Sequence, residues 1–179
     1  MNFNPDTDLQ IERLMTASPE TIWRCWEEPD LFRQWFVPPP VEVTEVENDL
    51  RPGGRAFNVM KLPDGTLMEN DGCFLVADRF TRLVFTDGVL PGFRPAPTPA
   101  FMTADVRLIP QDGGTLYHAH VMHSDSAKRE EHEKWAFSTA GAPRLSSWLL
   151  SFNACESGTG TAMNTKQAQN LLPNRALLA

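Results

Sequence analysis

The chain has 179 residues, 41% of them apolar and 22% charged, proportions with which a globular domain buries a core. Sixteen Lys and Arg against 23 Asp and Glu leave a net charge of -7, which argues against a general nucleic-acid binder or a surface held to anionic lipid, since both need basic patches. No apolar run reaches the roughly 18 residues that span a bilayer, and the polar start, Met1 to Asp8, is unlike a signal sequence. Three scattered cysteines (Cys25, Cys73, Cys155) form neither a CxxC metal pattern nor a disulfide framework, so the expected compartment is the cytoplasm.

Leu9 to Ala17 alternates well enough to read as a first strand. Ser18-Pro19-Glu20 then starts a helix, with Ser as N-cap and Pro in the first turn. Ile22, Trp23, Cys25 and Trp26 follow at helical spacing, and Pro29 ends the segment. A second short helix is expected from Asp30 through Trp35, before Pro38-Pro39-Pro40 forbids its continuation. Strands are expected over Val41 to Val46, Ala56 to Leu62, Met68 to Ala77 and Arg82 to Thr86. Arg51-Pro52-Gly53-Gly54 forms a turn among them, and Asp64-Gly65 supplies the positive φ angles of a tight hairpin. Pro91 to Pro99 reads as an extended surface loop. Phe101 to Ile109 and Thr115 to His123, joined by Gln111-Asp112-Gly113-Gly114, make a last hairpin, after which Ser124 is expected to cap a helix beginning around Asp125. Strands segregated from helices and joined by tight turns indicate an α+β domain with an antiparallel sheet, one face of which the last helix covers.

Composition changes near Lys134. Residues 1–134 hold 22 acidic and 13 basic residues, whereas residues 135–179 hold one acid and three bases and contain no Val, Ile, Asp, His or Tyr.

Trp35-Phe36-x-Pro38, Asp49-Leu50-Arg51-Pro52-Gly53-Gly54 and Met60-x-x-Pro63-Asp64-Gly65 resemble motifs of the SRPBCC, or START-like, superfamily. Gly72, Arg82-Leu83-Val84-Phe85, and His123 followed by His132 extend the match over residues 8–134. The branch it is most similar to is the bacterial group named for homology to the activator of the heat shock protein 90 ATPase. The resemblance implies a helix-grip fold: a curved antiparallel sheet of about six or seven strands, two short helices after the first strand, and a C-terminal helix over the concave face with an apolar cavity between. It implies no single activity, because the superfamily binds lipids, cyclises polyketides and regulates chaperones.

The departure from the family pattern begins at about residue 135, where Met-Gly-Phe-x-x-Gly-Trp is expected and Trp135-Ala136-Phe137-Ser138 stands. Restoring one A at Lys134, with suitable synonymous codons, gives MGFLHGWGAPLVQLVALIQRLR. Residues 135–179 are therefore read as a frameshifted tail, which sequencing of the codons around Lys134 tests; the alternative is a divergent natural terminus. Leu145, Trp148, Leu149 and Phe152 still fall at helical spacing, so the helix-grip domain is taken as residues 1–154 and a flexible tail as 155–179.

Candidate chemistry is sparse. His118 and His120 share one strand face, but no third ligand converges on them, so neither a metal nor a cofactor is expected. His123, on the other face, and His132 are carried by the resemblance, with an expected hydrogen bond across the strand-to-helix junction. The carboxylate pairs Glu42/Glu45, Glu69/Asp71 and Glu130/Glu133 read as solvated, Cys25 as a buried small hydrophobe, and no nucleophile motif occurs, so no catalytic residue is assigned. Arg51 pairs with Asp49 or meets an anionic ligand at a cavity mouth. The leading expectation is a non-enzymatic domain holding a small hydrophobic molecule, with Trp35, Phe57, Phe74, Phe85, Tyr117 and His123 around the cavity. The alternatives are a chaperone-regulating or other partner-binding module, and a cyclase- or hydrolase-like enzyme. The expected assembly is a monomer or homodimer, without nucleic acid or membrane.

Overall fold

The structure is a computed structural model and describes residues 2–37 and 39–138. Strand β1 (Asp8–Met15) is followed by helices α1 (Pro19–Glu27) and α2 (Pro29–Trp35). Ser18 caps α1, its hydroxyl accepting from the Thr21 N–H at 3.3 Å, and Pro19 occupies the first turn as expected. The two helices are held at a fixed angle because the Trp35 indole N–H donates 2.9 Å to the Cys25 carbonyl.

Strands β2 (Glu42–Asn48), β3 (Arg55–Lys61), β4 (Leu67–Asp78) and β5 (Arg82–Thr86) follow, then β6 (Val89–Leu90) and β7 (Arg94–Pro95), and finally β8 (Met102–Gln111), β9 (Gly114–His123) and helix α3 (Ser126–Ser138). Seven strands make one antiparallel sheet in the order β1-β9-β8-β5-β4-β3-β2. Hairpins supply most of the pairings; the exceptions are β5 with β8, across the β6–β7 insert, and β1 with β9, which brings the first and last strands together. Bulges between Val43 and Glu45 and between Phe74 and Val76 bend the sheet.

Two local expectations need correction. The proline-rich segment is not simply extended: Val89 and Leu90 pair with Pro95 and Arg94 around a 3-10 turn at Pro91–Phe93. The insert is tied down, since the Gly92 N–H donates 2.8 Å to the Gly53 carbonyl. At α3 the capping acceptor is Asp125, which takes the Lys128 N–H at 2.9 Å, while the Ser124 hydroxyl donates to the Asp125 carboxylate.

Alternation sorts the strands cleanly. Leu9, Ile11, Ala56, Met60, Phe74, Phe85, Ala104, Val106, Ala119 and Val121 face the concave side, where α1, α2 and the start of α3 lie. Part of the outer face is polar and paired. Asp105, almost fully buried, accepts two bonds from Arg82 at 2.9 and 3.0 Å and one from Arg107 at 3.1 Å. Asp8 and His120 meet at 2.7 Å. Burial pushes the Asp8 carboxyl up, but bonds from the Asn4 N–H, His120 and Thr7 outweigh it and hold the group below its ordinary range. Asp8→Asn is expected to cost about 1–2 kcal/mol at pH 7, read as a lower urea midpoint with unchanged m-value; an unaltered midpoint would show the pair to be energetically idle.

The amphipathic stretch at 144–154 and the tail at 155–179 fall outside the described residues, as does the segment read as frameshifted beyond Ser138.

Candidate functional site

Between the concave sheet face and the helices lies a hollow of about 610 Å³. Its described wall comes from every layer: Trp26 on α1, Phe32 on α2, Phe36 just beyond it, Ala56 and Met60 on β3, Met68 and Phe74 on β4, and Phe85 on β5. The aromatic part is a continuous cluster, because Trp26 lies 5.0 Å from Trp35 and 5.4 Å from Phe85, ring centre to ring centre, and Phe85 lies 5.8 Å from Phe74. Phe32 and Phe36 stack at 4.3 Å, one turn apart on the same side of α2. Edge-to-face and offset contacts of this kind fix ring orientation as well as bury area.

The residues singled out from sequence are distributed unevenly around this hollow. Phe74 and Phe85 line it. Trp35 and Tyr117 are completely buried in the adjoining core. Burial drives the Tyr117 phenol far above its ordinary range, and the Trp26 side chain is its hydrogen-bond neighbour. Phe57 lies on the outer face of β3, under the Arg55 guanidinium at 3.9 Å from the ring centre. Arg51 is exposed and paired with Asp49 at 2.8 Å. The glycines after it explain the motif: the Gly53 N–H donates to the Phe74 carbonyl and the Phe74 N–H to the Gly54 carbonyl, at 2.8 and 2.9 Å. A Cβ on Gly54 would stand 2.0 Å from the Asp49 carbonyl oxygen.

His123 and His132 join β9 to α3. His123 Nδ1 lies 2.9 Å from the Thr7 carbonyl and its Nε2 lies 2.8 Å from His132 Nδ1. A carbonyl only accepts, so the His123 proton sits on Nδ1, and His132 donates from its own Nδ1 to His123 Nε2. His132 borders the hollow, with the Phe101 ring 5.6 Å away. Burial, and secondarily repulsion from His123, lower its pKa to about 4, so at neutral pH it is uncharged.

Sequence reasoning did not single out several wall residues: Trp26, Phe32, Met60, Met68, and the amides Asn58 and Asn70. The signal that could have found the strand residues is phase. Ala56-x-Asn58-x-Met60 and Met68-x-Asn70-x-Gly72-x-Phe74 run in register on either side of the Asp64-Gly65 turn. The His118/His120 pair is divided between partners, His120 with Asp8 and His118 3.6 Å from Glu12. Among the described residues no group of His, Cys, Asp and Glu is arranged to hold a metal ion, and no helix is long and apolar enough to cross a membrane.

A bent antiparallel sheet against which the last described helix is seated, with paired helices after the first strand, defines an α+β helix-grip domain of the SRPBCC type. The family model described as "Activator of Hsp90 ATPase homolog 1-like protein" matches residues 16–147. The chain belongs to that family. The matched span runs past Lys134, where the sequence reading places the departure from the family pattern. A crystal structure of a Nitrosomonas europaea protein is 31% identical, with TM-score 0.78 over 88% of this chain and 99% of the other. One from Mycobacterium smegmatis is 25% identical, with TM-score 0.68 over 88% and 96%. The solution structure of an AHSA1-like protein from Aeromonas hydrophila, 21% identical with TM-score 0.60 over 82% and 92%, shares the fold. No curated protein matches the chain.

Proposed function

We propose that this chain is a non-enzymatic binding domain that holds a small hydrophobic molecule between its sheet and its helices. The observation that carries the reading is the aromatic and thioether wall around a hollow of about 610 Å³, a size within the usual range for small-molecule sites. Removing apolar ligand surface from water there supplies about 25 cal/mol per Å² before the cost of association. An enzymatic role is disfavoured because the imidazole on the hollow, His132, is committed at Nδ1 to His123 and is too weak a base near neutrality. Of the two carboxylates that flank it, Glu133 is tied to Arg129.

Titration with the neutral dye N-phenyl-1-naphthylamine tests the proposal. Fluorescence enhancement is expected with the wild type, and Ala56→Phe, which fills the hollow from β3, should weaken binding at least tenfold while leaving the circular dichroism unchanged. Equal binding by a folded Ala56→Phe protein would place the dye elsewhere and remove the reading.

A second reading, a partner-binding module acting on a chaperone, is favoured by the family's description and by the outer face. There Leu14 and Ile109, both exposed, flank Leu116 across adjacent strands. Stimulation of a purified heat shock protein 90 ATPase that Leu14→Lys abolishes would support it; no change in rate with either protein would exclude it.

A further inference from the structure

Several polar residues border the hollow, and two of them are paired amides. Asn58 and Asn70 are cross-strand partners on the concave side of β3 and β4, and both border the hollow. Asn58 is only 8% exposed. The Asn70 amide donates 3.0 Å to the Asn58 carbonyl oxygen. That bond uses one N–H of Asn70 and one lone pair of Asn58, and leaves the Asn58 NH2 and the Asn70 carbonyl oxygen on cross-strand partners. Exchanging N and O in both amides leaves the same inventory, one NH2 and one C=O. Both residues border the hollow, so a molecule held there can take up the donor and acceptor that the pair leaves unused.

The charges around the hollow decide what kind of partner fits. Among its described lining residues Arg129 is the only Lys or Arg, and it is paired with Glu133. An anionic head group would find no free counter-charge and would meet Glu131 and Glu133 on α3. The other lining carboxylates are already engaged, Asp8 with His120, Asp71 with Arg55, and Asp87 with the Phe101 and Met102 N–H groups, so a cationic head would turn to α3, whereas the amide pair offers matched, neutral groups. Resting on the ligand-binding proposal above, we infer that Asn58 and Asn70 are the specificity anchor of the hollow. They select an apolar ligand that ends in a neutral donor–acceptor head, of which a carboxamide is the closest match. Its carbonyl accepts from the Asn58 NH2 and its N–H donates to the Asn70 carbonyl.

Three probes with one ring system separate the head from the body: 2-naphthamide, 2-naphthoate and 2-methylnaphthalene. Affinities for the wild type and for Asn70→Leu are compared as the ratio of naphthamide to methylnaphthalene binding, which cancels differences in ring burial. The ratio is expected to fall about tenfold in the variant, the size expected for losing one or two neutral hydrogen bonds. Naphthoate should bind the wild type more weakly than naphthamide. Wild-type NMR provides an arm that needs no variant: naphthamide should shift the Asn58 and Asn70 side-chain NH2 resonances, and methylnaphthalene should not. If methylnaphthalene binds but the ratio and the NH2 resonances are unmoved, the anchor is wrong and the apolar site survives. If none of the three binds, the ligand-binding proposal fails and the anchor falls with it.

Discussion

Gly114→Ala is expected to destabilise the domain by on the order of 4 kcal/mol, enough to leave much of the chain unfolded at 37 °C. A Cβ at this position would stand 1.8 Å from the Met15 carbonyl oxygen and 2.9 Å from its carbon, and the backbone φ is +147°. Neither neighbour is a flexible side chain, so the clash is relieved only by separating β1 from β9. That seam also carries the Thr115 hydroxyl, which donates 2.8 Å to the Ala17 carbonyl. The adjoining Gly113 provides the control. Its φ is +89°, but a Cβ there meets nothing within 4 Å, so Gly113→Ala should cost only about 1 kcal/mol. Urea midpoints for the two variants check the contrast, and equal losses would mean that backbone strain, not collision, governs the turn.

Lowering the pH from 6.5 to 4 should cost about 3 kcal/mol through His132 alone. The folded-state pKa of about 4 lies below the ordinary value of 6.5. Above pH 6.5 both folded and unfolded chains carry the neutral ring and no differential exists. Between 6.5 and 4 only the unfolded chain takes up the proton, so stability falls as pH falls, then levels off. His132 faces His123 on β9 and the Phe101 ring, with Arg129, Glu131 and Glu133 as near neighbours on its own helix. The depressed carboxyls of Asp8 and Asp105 act in the same direction but lower, starting near the foot of this window. His132→Gln should therefore flatten the midpoint-versus-pH curve between 6.5 and 4 and leave the acid limb. An identical slope in that variant would assign the effect to other groups.

Much of this architecture was legible because turn chemistry and alternation agree. Asp64-Gly65 and Gln111-Asp112-Gly113-Gly114 fall between strands whose periods match on both sides, and Ser18-Pro19 marks a helix start that no strand pattern contests. The site was less legible because β3 carries apolar residues on both faces. Phe57 and Val59 alternate with Ala56 and Met60, so period alone does not say which set looks inward; the large ring of Phe57 points outward and is covered by Arg55. Trp35 and Tyr117 show a related limit, since a core position and a cavity wall have the same composition and differ only in whether an atom stands opposite. Asn58 and Asn70 carry no signal of their own until the register of β3 and β4 sets them together on the inner side. The proline-rich segment hid its short hairpin because Pro95 occupies an edge, where a missing N–H costs nothing.

The seating of α3 has a practical consequence. Its first turns are moored to three separate parts of the chain: His132 to His123 and thence to the Thr7 carbonyl, and the Lys128 ammonium to the Ala100 carbonyl at 2.7 Å. These tethers all lie upstream of Lys134, which makes that residue a natural splice point. Terminal segments taken from relatives, or the restored-frame sequence itself, can be grafted there with the docking end of the helix left as it is, turning the question of what the terminus contributes into a series of interchangeable chimaeras.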